Sequence, residues 1–496
     1  SGYRCIPASR SYNNLQTSQA NQDFVPERVY TIFGNAGASG VTLSYVDGTP
    51  KTVTSGGGGN YSIQVPEHWS GTITPSKSSH IFTPPNRTYN DVVEDQLSQN
   101  YTATVVVVNS NDSGSGSLRQ AIADATSGAT IYFDPALAGQ TIVLSSEIVI
   151  NKRLTIDGTA LDPHVSISGN HAVRIFSIGS NYTVKLFSLI LKDGMMSGTS
   201  YTKYGGAIYT NSYSTVMITD VDFVGNTAYQ GGAIYVSSSA NATILESRFS
   251  DNTAQMSGGA ISTRNDLTVR NSVFTHNVAR GGGAIEITDT GTYLIENNAF
   301  IDNTADSAGA IAITQPGFVD PDLYTGTIRK NLFSGNSATS IYGSGGAIRI
   351  VYASSVPTVI ENNTFYANQA KDVGGAIYTE GTVLLRNNTF SENQADRAGG
   401  NAGGSVYFSS AGTFTELFNN IFANNTGGGE CYESGPNSWI RGNNNLVEDG
   451  SAVCMPVLTG DPLLGPLTDH GGPTQTMALL PGSPAIDAGD NTNCPE

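Results

Sequence analysis

"GGAIYVSSSANATILESRFSDNTAQMSGGAI" (Gly231–Ile261) begins and ends on the same four residues. Between them lie two strand-length apolar runs, a Phe, an Asn three positions later, and small residues leading back to paired glycines. The same unit recurs along the chain. GGAI or a near variant occupies Gly205–Ile208, Gly231–Ile234, Gly258–Ile261, Gly282–Ile285, Ala308–Ile311, Gly345–Ile348, Gly374–Ile377 and Gly403–Val406. An F-x-x-N motif follows each, at Phe223/Asn226, Phe249/Asn252, Phe274/Asn277, Phe300/Asn303, Phe333/Asn336, Phe365/Asn368, Phe390/Asn393 and Phe422/Asn425. The spacing is 24 to 29 residues except for one interval of 37 before Gly345, which holds an insertion at Thr314–Gly326.

A short period with strands of four to six residues is one coil of a parallel β-solenoid. Aligned columns support this. Ile208, Ile234, Ile261, Ile285, Ile311, Ile348, Ile377 and Val406 form an aliphatic, inward column. The next position holds Tyr209, Tyr235, Ser262, Glu286, Ala312, Arg349, Tyr378 and Tyr407, a mixed column that points outward. Such alternation belongs to a strand with one buried face. The Phe column supplies core bulk, and the Asn column should form a ladder in which each amide bonds backbone or the next Asn.

Composition agrees. Gly is 57 of 496 residues and only 13% are charged, a pattern of closely spaced turns rather than disorder. The net charge of −17 argues against nucleic acid and anionic membranes, and makes a polyanionic substrate less suitable. No apolar run reaches the ~18 residues of a membrane span. The chain shows no signal peptide and reads as a mature or trimmed product.

Solenoid ends need caps. "SGSLRQAIADAT" (Ser115–Thr126) fits a first cap helix, with Ser117 and Gln120 as a capping box. Residues 461–496 fit a C-terminal cap region, and residues 105–460 the solenoid. Upstream, residues 27–104 contain short strands bounded by Gly, Pro and Asp-Gly turns, as expected of an immunoglobulin-like β-sandwich. Residues 2–24 align without gaps on residues 79–101, matching Arg10 with Arg87 and Asp23 with Asn100 among others. Residues 1–26 therefore read as the last strands of an incomplete module of the same kind. They are a trimming stub, an element docked on its own sandwich, or donor strands for a neighbouring subunit.

The GGAI and F-x-x-N units resemble polymorphic outer-membrane protein-type repeats. "GSLRQAI" and "GDPLLGPLTDHGGPTQTMALLPGSPAIDAGD" resemble the start and end of surface proteins with a choice-of-anchor Q-like C-terminal region. The resemblance implies a right-handed parallel β-helix of the pectin-lyase-like superfamily over residues 105–496. The expected fold class is all-β, a right-handed parallel β-helix with an N-terminal immunoglobulin-like β-sandwich.

Four cysteines carry no metal or redox spacing. Cys431 and Cys454 bracket one loop and are expected to form a disulfide in an oxidising compartment. Cys5 and Cys494, near opposite ends, suggest an intersubunit disulfide. The six histidines show no metal-ligand spacing. Glu286 and Arg349 share the outward column two coils apart, without a carboxylate neighbour. Asp320 and Asp322 lie in the insertion, while Asp251, Asp302 and Glu392 fall in F-x-x-N turns at scattered coils. No catalytic set, metal or cofactor is expected. Tyr209, Tyr235, Tyr378 and Tyr407 are the candidate contacts for carbohydrate or protein. The functional expectation is a secreted, non-enzymatic cell-surface protein that self-associates head-to-tail into a filament or layer. The alternative is a carbohydrate-binding adhesin, or a polysaccharide lyase or hydrolase, using the lateral face of the coil on an extracellular polysaccharide.

Overall fold

The structure is a computed structural model that describes residues 2–6, 10–11, 23, 25–196, 203–288, 291–314, 326–351, 356–409, 414–435 and 439–493. It divides into two units. One comprises Ser1–Asn109 with Ser113–Ala125 and Ala129–Asp134; the other comprises Pro135–Glu496 with two short linking pieces.

In the first unit, Gly2–Ile6, Val25–Asn35 and Asn60–Pro66 form a three-stranded antiparallel sheet. Thr49–Thr54, Thr42–Asp47, Trp69–Ser76 and Arg87–Val92 form a four-stranded one. Their inner faces share one core, built around Tyr30, Ile32, Leu43, Ile63, Trp69 and Ile73. The first strand is docked on its own sheet, with Gly2 opposite Val29 and Cys5 opposite Pro26. Arg4 fixes it by reaching Asp47 across the unit at 2.8 Å, and this guanidinium holds the Asp47 carboxyl below its usual range. The internal match is visible in the bonding. Arg10 donates to the Asp23 carbonyl at 3.3 Å as Arg87 donates to that of Asn100 at 2.6 Å.

The helix Leu118–Asp124 forms where the sequence indicates. Ser117 Oγ accepts from the Gln120 N–H at 3.2 Å, but the Gln120 side chain turns forward to Asp124 at 2.9 Å. Half of the capping box is therefore made. Among the described residues no helix is long and apolar enough to cross a membrane.

The second unit is the solenoid. The aliphatic column pairs in parallel register from Ile208 through Ile234, Ile261, Ile285, Ile311, Ile348 and Ile377 to Val406, all fully buried. These strands belong to an eleven-stranded sheet that runs from Ile148–Ile150 to Cys431–Glu433. Each coil continues through two further strand positions, the second carrying Phe, and then a short wall strand in a seven-stranded sheet. The eight Phe rings stack at 4.6–4.9 Å between centroids, within 3–10° of parallel.

The Asn ladder is complete from Asn226 to Asn425. Each Nδ2 donates to the Oδ1 of the next Asn at 2.8–3.0 Å. From Asn252 on it also donates to the Phe carbonyl one coil back, as Asn303 does to Phe274 at 2.9 Å. A second ladder runs two residues before the Phe column, through Asn298, Asn331, Asn363, Asn388, Asn420 and Asn445, with amide links of 3.0 Å. The first ladder ends on Glu430, which is 2% exposed and accepts from Asn425 Nδ2 at 2.7 Å and Ser405 Oγ at 2.8 Å. Beside it, Cys431 occupies the aliphatic column and forms the expected disulfide with Cys454. Cys5 is an exposed free thiol, and Cys494 lies outside the described residues.

Residues 461–493 pack back along one corner of the coil instead of only covering its end. Asp490 N–H donates to Asn419 Oδ1 at 2.8 Å, and Asn444 Nδ2 to the Ala488 carbonyl at 2.8 Å.

The paired glycines have separate roles. The first has a left-handed backbone, with φ of +61° at Gly258 and +58° at Gly282. The second lies against the next coil, and a Cβ on Gly259 would collide with the Gly283 carbonyl oxygen. Ala308 adopts the same left-handed conformation, φ +63°, at a Cβ's cost. Ala308→Gly is therefore expected to raise stability by about 0.5–1 kcal/mol in thermal melts, whereas Gly259→Ala lowers it sharply. Burial raises the Glu430 carboxyl to about 7. The folded chain then holds more protons than the unfolded one between the ordinary value of 4.5 and about 7. Stability from this group is present below that window and lost as pH rises through it. Glu430→Gln should match the wild type in melting temperature at pH 4 and exceed it at pH 8.

Candidate functional site

Parallel register places the outward column in a straight row across the eleven-stranded sheet. Tyr209 lies beside Tyr235, then Ser262, Glu286, Ala312, Arg349, Tyr378, Tyr407 and Tyr432. Beyond Tyr209 the row continues to Ser177 and Val149, and it carries two aromatic stretches. In one, Tyr204, Tyr209 and Tyr235 stack, with 4.3 Å between Tyr204 and Tyr235, and Arg174 lies 5.0 Å over Tyr209. In the other, Tyr378, Tyr407 and Tyr432 stack at 5.5–5.6 Å, with Arg349 over Tyr378 and Arg397 over Tyr407.

The tyrosines are less open than their outward direction suggests. Tyr235 is 3% and Tyr407 6% exposed, while Tyr209 and Tyr378 are half-buried. Ring stacking along the row and the covering Tyr204 and Arg397 side chains account for this. Burial pushes the Tyr235 and Tyr378 hydroxyls up to about 12, so both are neutral across ordinary pH.

Glu286 stands between the two aromatic stretches. It is 8% exposed, with the small residues Ser262 and Ala312 on either side. Thr314 Oγ1 approaches Oε1 at a long 3.4 Å, and Oε2 has no hydrogen-bond partner among the described residues. Burial, only partly offset by Ser257, Thr314 and the charge of Arg349, raises this carboxyl to about 7. The Arg349 guanidinium is itself held by Ser344 Oγ at 3.0 Å. A buried carboxyl raised to about 7, with one oxygen left unbonded on a lateral face, is equipped to donate a proton.

Other buried carboxylates are not free in this way. Arg270, Glu296, Arg329, Glu361 and Arg386 alternate along one column of the adjoining sheet, with Arg329 2.7 Å from Glu296 and Arg386 2.6 Å from Glu361. That ladder is a structural seam. The F-x-x-N turns place Asp251, Asp302 and Glu392 at one corner but on non-adjacent coils, with Gly335 and Ala367 between Asp302 and Glu392. Asp251, His276 and Asp302 occupy one corner in three consecutive coils, because each donates its N–H to the corresponding strand of the next coil. His276 stands between the two aspartates, with its Nε2 3.9 Å from Asp302. Asp320 and Asp322 lie outside the described residues. Among the described residues no group of three His, Cys, Asp or Glu side chains is arranged to hold a metal ion.

No curated protein matches the chain. Two solved structures are similar to it. One is the Agl-KA catalytic domain, at 14% identity and a TM-score of 0.46, covering 87% of this chain and 84% of that one. The other is the catalytic unit of a thermostable GH87 alpha-1,3-glucanase from Streptomyces thermodiastaticus strain HF3-3, at 16% identity and a TM-score of 0.38, covering 84% and 86%. The expectation of a non-enzymatic filament subunit is corrected here. The strand read as a possible donor to a neighbour is paired within its own chain. The right-handed beta helix region family matches residues 164–352 and 262–445, together more than half of the chain. The chain belongs to the right-handed beta helix family.

Proposed function

We propose that the chain is a polysaccharide-active enzyme that engages an extracellular, neutral glycan along the outward face of the eleven-stranded sheet, with Glu286 as proton donor. The observation that carries this reading is the Glu286 carboxyl, buried and under-bonded between two tyrosine rows and raised to about 7. A general acid needs a value near the working pH, and burial of a carboxyl is the usual way to reach it. In the proposed step Glu286 passes its proton to the departing glycosidic oxygen as the bond to the anomeric carbon breaks. Water adds at that carbon, and the proton it releases restores the acid. The half-buried Tyr209 and Tyr378, whose faces are covered along the row, offer ring edges to sugars on either side. A net charge of −17 favours a neutral glycan over a polyanion. The finer kinship with outer-membrane protein-type repeats, and the immunoglobulin-like reading of residues 27–104, belong to this proposal as features of a surface-exposed protein.

The test is release of reducing ends from neutral polysaccharides, alpha-1,3-glucan among them, by the wild type and Glu286→Gln. Cleavage by the wild type with an alkaline limb near pH 7 is expected, since the acid must be protonated. Glu286→Gln should lose roughly 10²-fold or more in kcat, with a melting temperature unchanged at pH 4 and, as for Glu430→Gln, higher than the wild type at pH 8. Absence of cleavage by the wild type, or an unaffected variant, overturns the assignment.

A further inference from the structure

The link from a wall strand to the next glycine corner is short in most coils. It runs from Ala254 to Gly258, Ala279 to Gly282, Ala305 to Ala308 and Ala370 to Gly374. It is longer in two coils, from Ala395 to Gly403 and, in the coil that carries Arg349, from Ala338 to Gly345, where the added residues form a pinned turn. Thr339 and Ser340 N–H groups donate to the Ala305 and Asp306 carbonyls at 2.8 and 3.1 Å. Gly343 N–H closes back on the Ser340 carbonyl at 2.7 Å, and the Gly343 carbonyl accepts from Asp372 at 2.8 Å. A Cβ on Gly343 would crowd the carbonyls of Ala338, Asp306 and Ser340, so the turn is tightly wound. Ser344 then holds Arg349.

This fixed turn presents Ile341 and Tyr342 to solvent at 73% and 77% exposure. Neither side chain serves the core, and a well-tied turn has no need of a large apolar tip. Two side chains fall far short of the ~800 Å² per partner that a stable protein interface requires. They suit one ring of a small-repeat ligand. We propose that the turn Thr339–Ser344 is a lip for the glycan assigned above, with Tyr342 stacking on one pyranose ring and Ile341 packing at its edge. The inference rests on that assignment, because Ser344 ties the turn to Arg349, two rungs from Glu286 along the same outward row. A Tyr on a pinned turn has little conformational freedom to lose on binding. Tyr342 is thus a substrate-positioning residue, distinct from the proton donor.

The test is affinity electrophoresis in gels containing soluble neutral polysaccharides, using Glu286→Gln to prevent digestion, alone and combined with Tyr342→Ala or Tyr342→Phe. Tyr342→Ala should weaken retention about five-fold, the equivalent of ~1 kcal/mol for a lost aromatic contact, at an unchanged melting temperature. Tyr342→Phe should retain the affinity. Equal retention of the Tyr342→Ala protein, or no retention of the parent by any of the polysaccharides, overturns the lip. The two proposals fail separately. Cleavage that depends on Glu286 with no effect of Tyr342 leaves the enzyme and removes the lip. Retention that depends on Tyr342 without cleavage by the wild type leaves the lip and removes the catalytic role.

Discussion

A side-chain amide has two N–H donors and two acceptor lone pairs, and in this coil one buried Asn per turn has all four engaged. In Asn303, Nδ2 donates to Phe274 O and Asn336 Oδ1, while its Oδ1 accepts from the backbone N–H and Nδ2 of Asn277. A buried amide with any of these missing would carry a desolvation cost of about 1–3 kcal/mol. Each coil therefore satisfies its neighbour's corner only when stacked in one register. That register places Phe on Phe and Ile on Ile. It also requires a terminus that can accept without a further Asn. Glu430 supplies the acceptor, and the Cys431–Cys454 disulfide ties down the adjoining rung.

The same register determines what an outward residue meets. Glu286, Glu296 and Glu361 are all nearly buried, at 8%, 7% and 3% exposure. Glu296 and Glu361 stack between arginines of neighbouring coils and gain close counter-charges. Glu286 stacks between Ser262 and Ala312, and Arg349 is one rung further away. Similar burial thus yields an ion-paired seam in one column and a protonatable group in another. The difference lies in which residue types the repeat brings one rung above and below.

Much of this was legible in the sequence. The GGAI and F-x-x-N spacing carried the coil, the inward column, the Phe stack and the first Asn ladder, because a solenoid maps period directly onto contact. The second ladder carried a signal too: Asn stands two residues before Phe300, Phe333, Phe365, Phe390 and Phe422. Glu286 was visible as a member of its column, but its burial was not. The residues that cover it belong to wall strands of the same and preceding coils, such as Ser257 and Gly281, and follow no column pattern of their own. The Tyr235 and Tyr407 burial arises from stacking between coils and from cover by Tyr204 and Arg397, outside any one repeat. Docking of Gly2–Ile6 on its own sheet combines a backbone ladder to Val25–Val29 with an ion pair, Arg4 with Asp47, separated by 43 residues and without a local motif.

A ladder that locks register also decides where the chain can vary. Extra residues within a strand would displace the Asn of that coil and break two amide links. Extra residues in the links between strands leave the ladder untouched, at only the slow entropic cost of a longer loop. The turn Thr339–Ser344 illustrates this: Ile311 still pairs with Ile348, and Asn336 with Asn368, across it. Variation is thereby channelled to the rim of the outward row, beside Arg349 and near Glu286. A rigid floor with an adjustable rim is the arrangement in which a general acid can keep its geometry while the surface that selects its substrate changes.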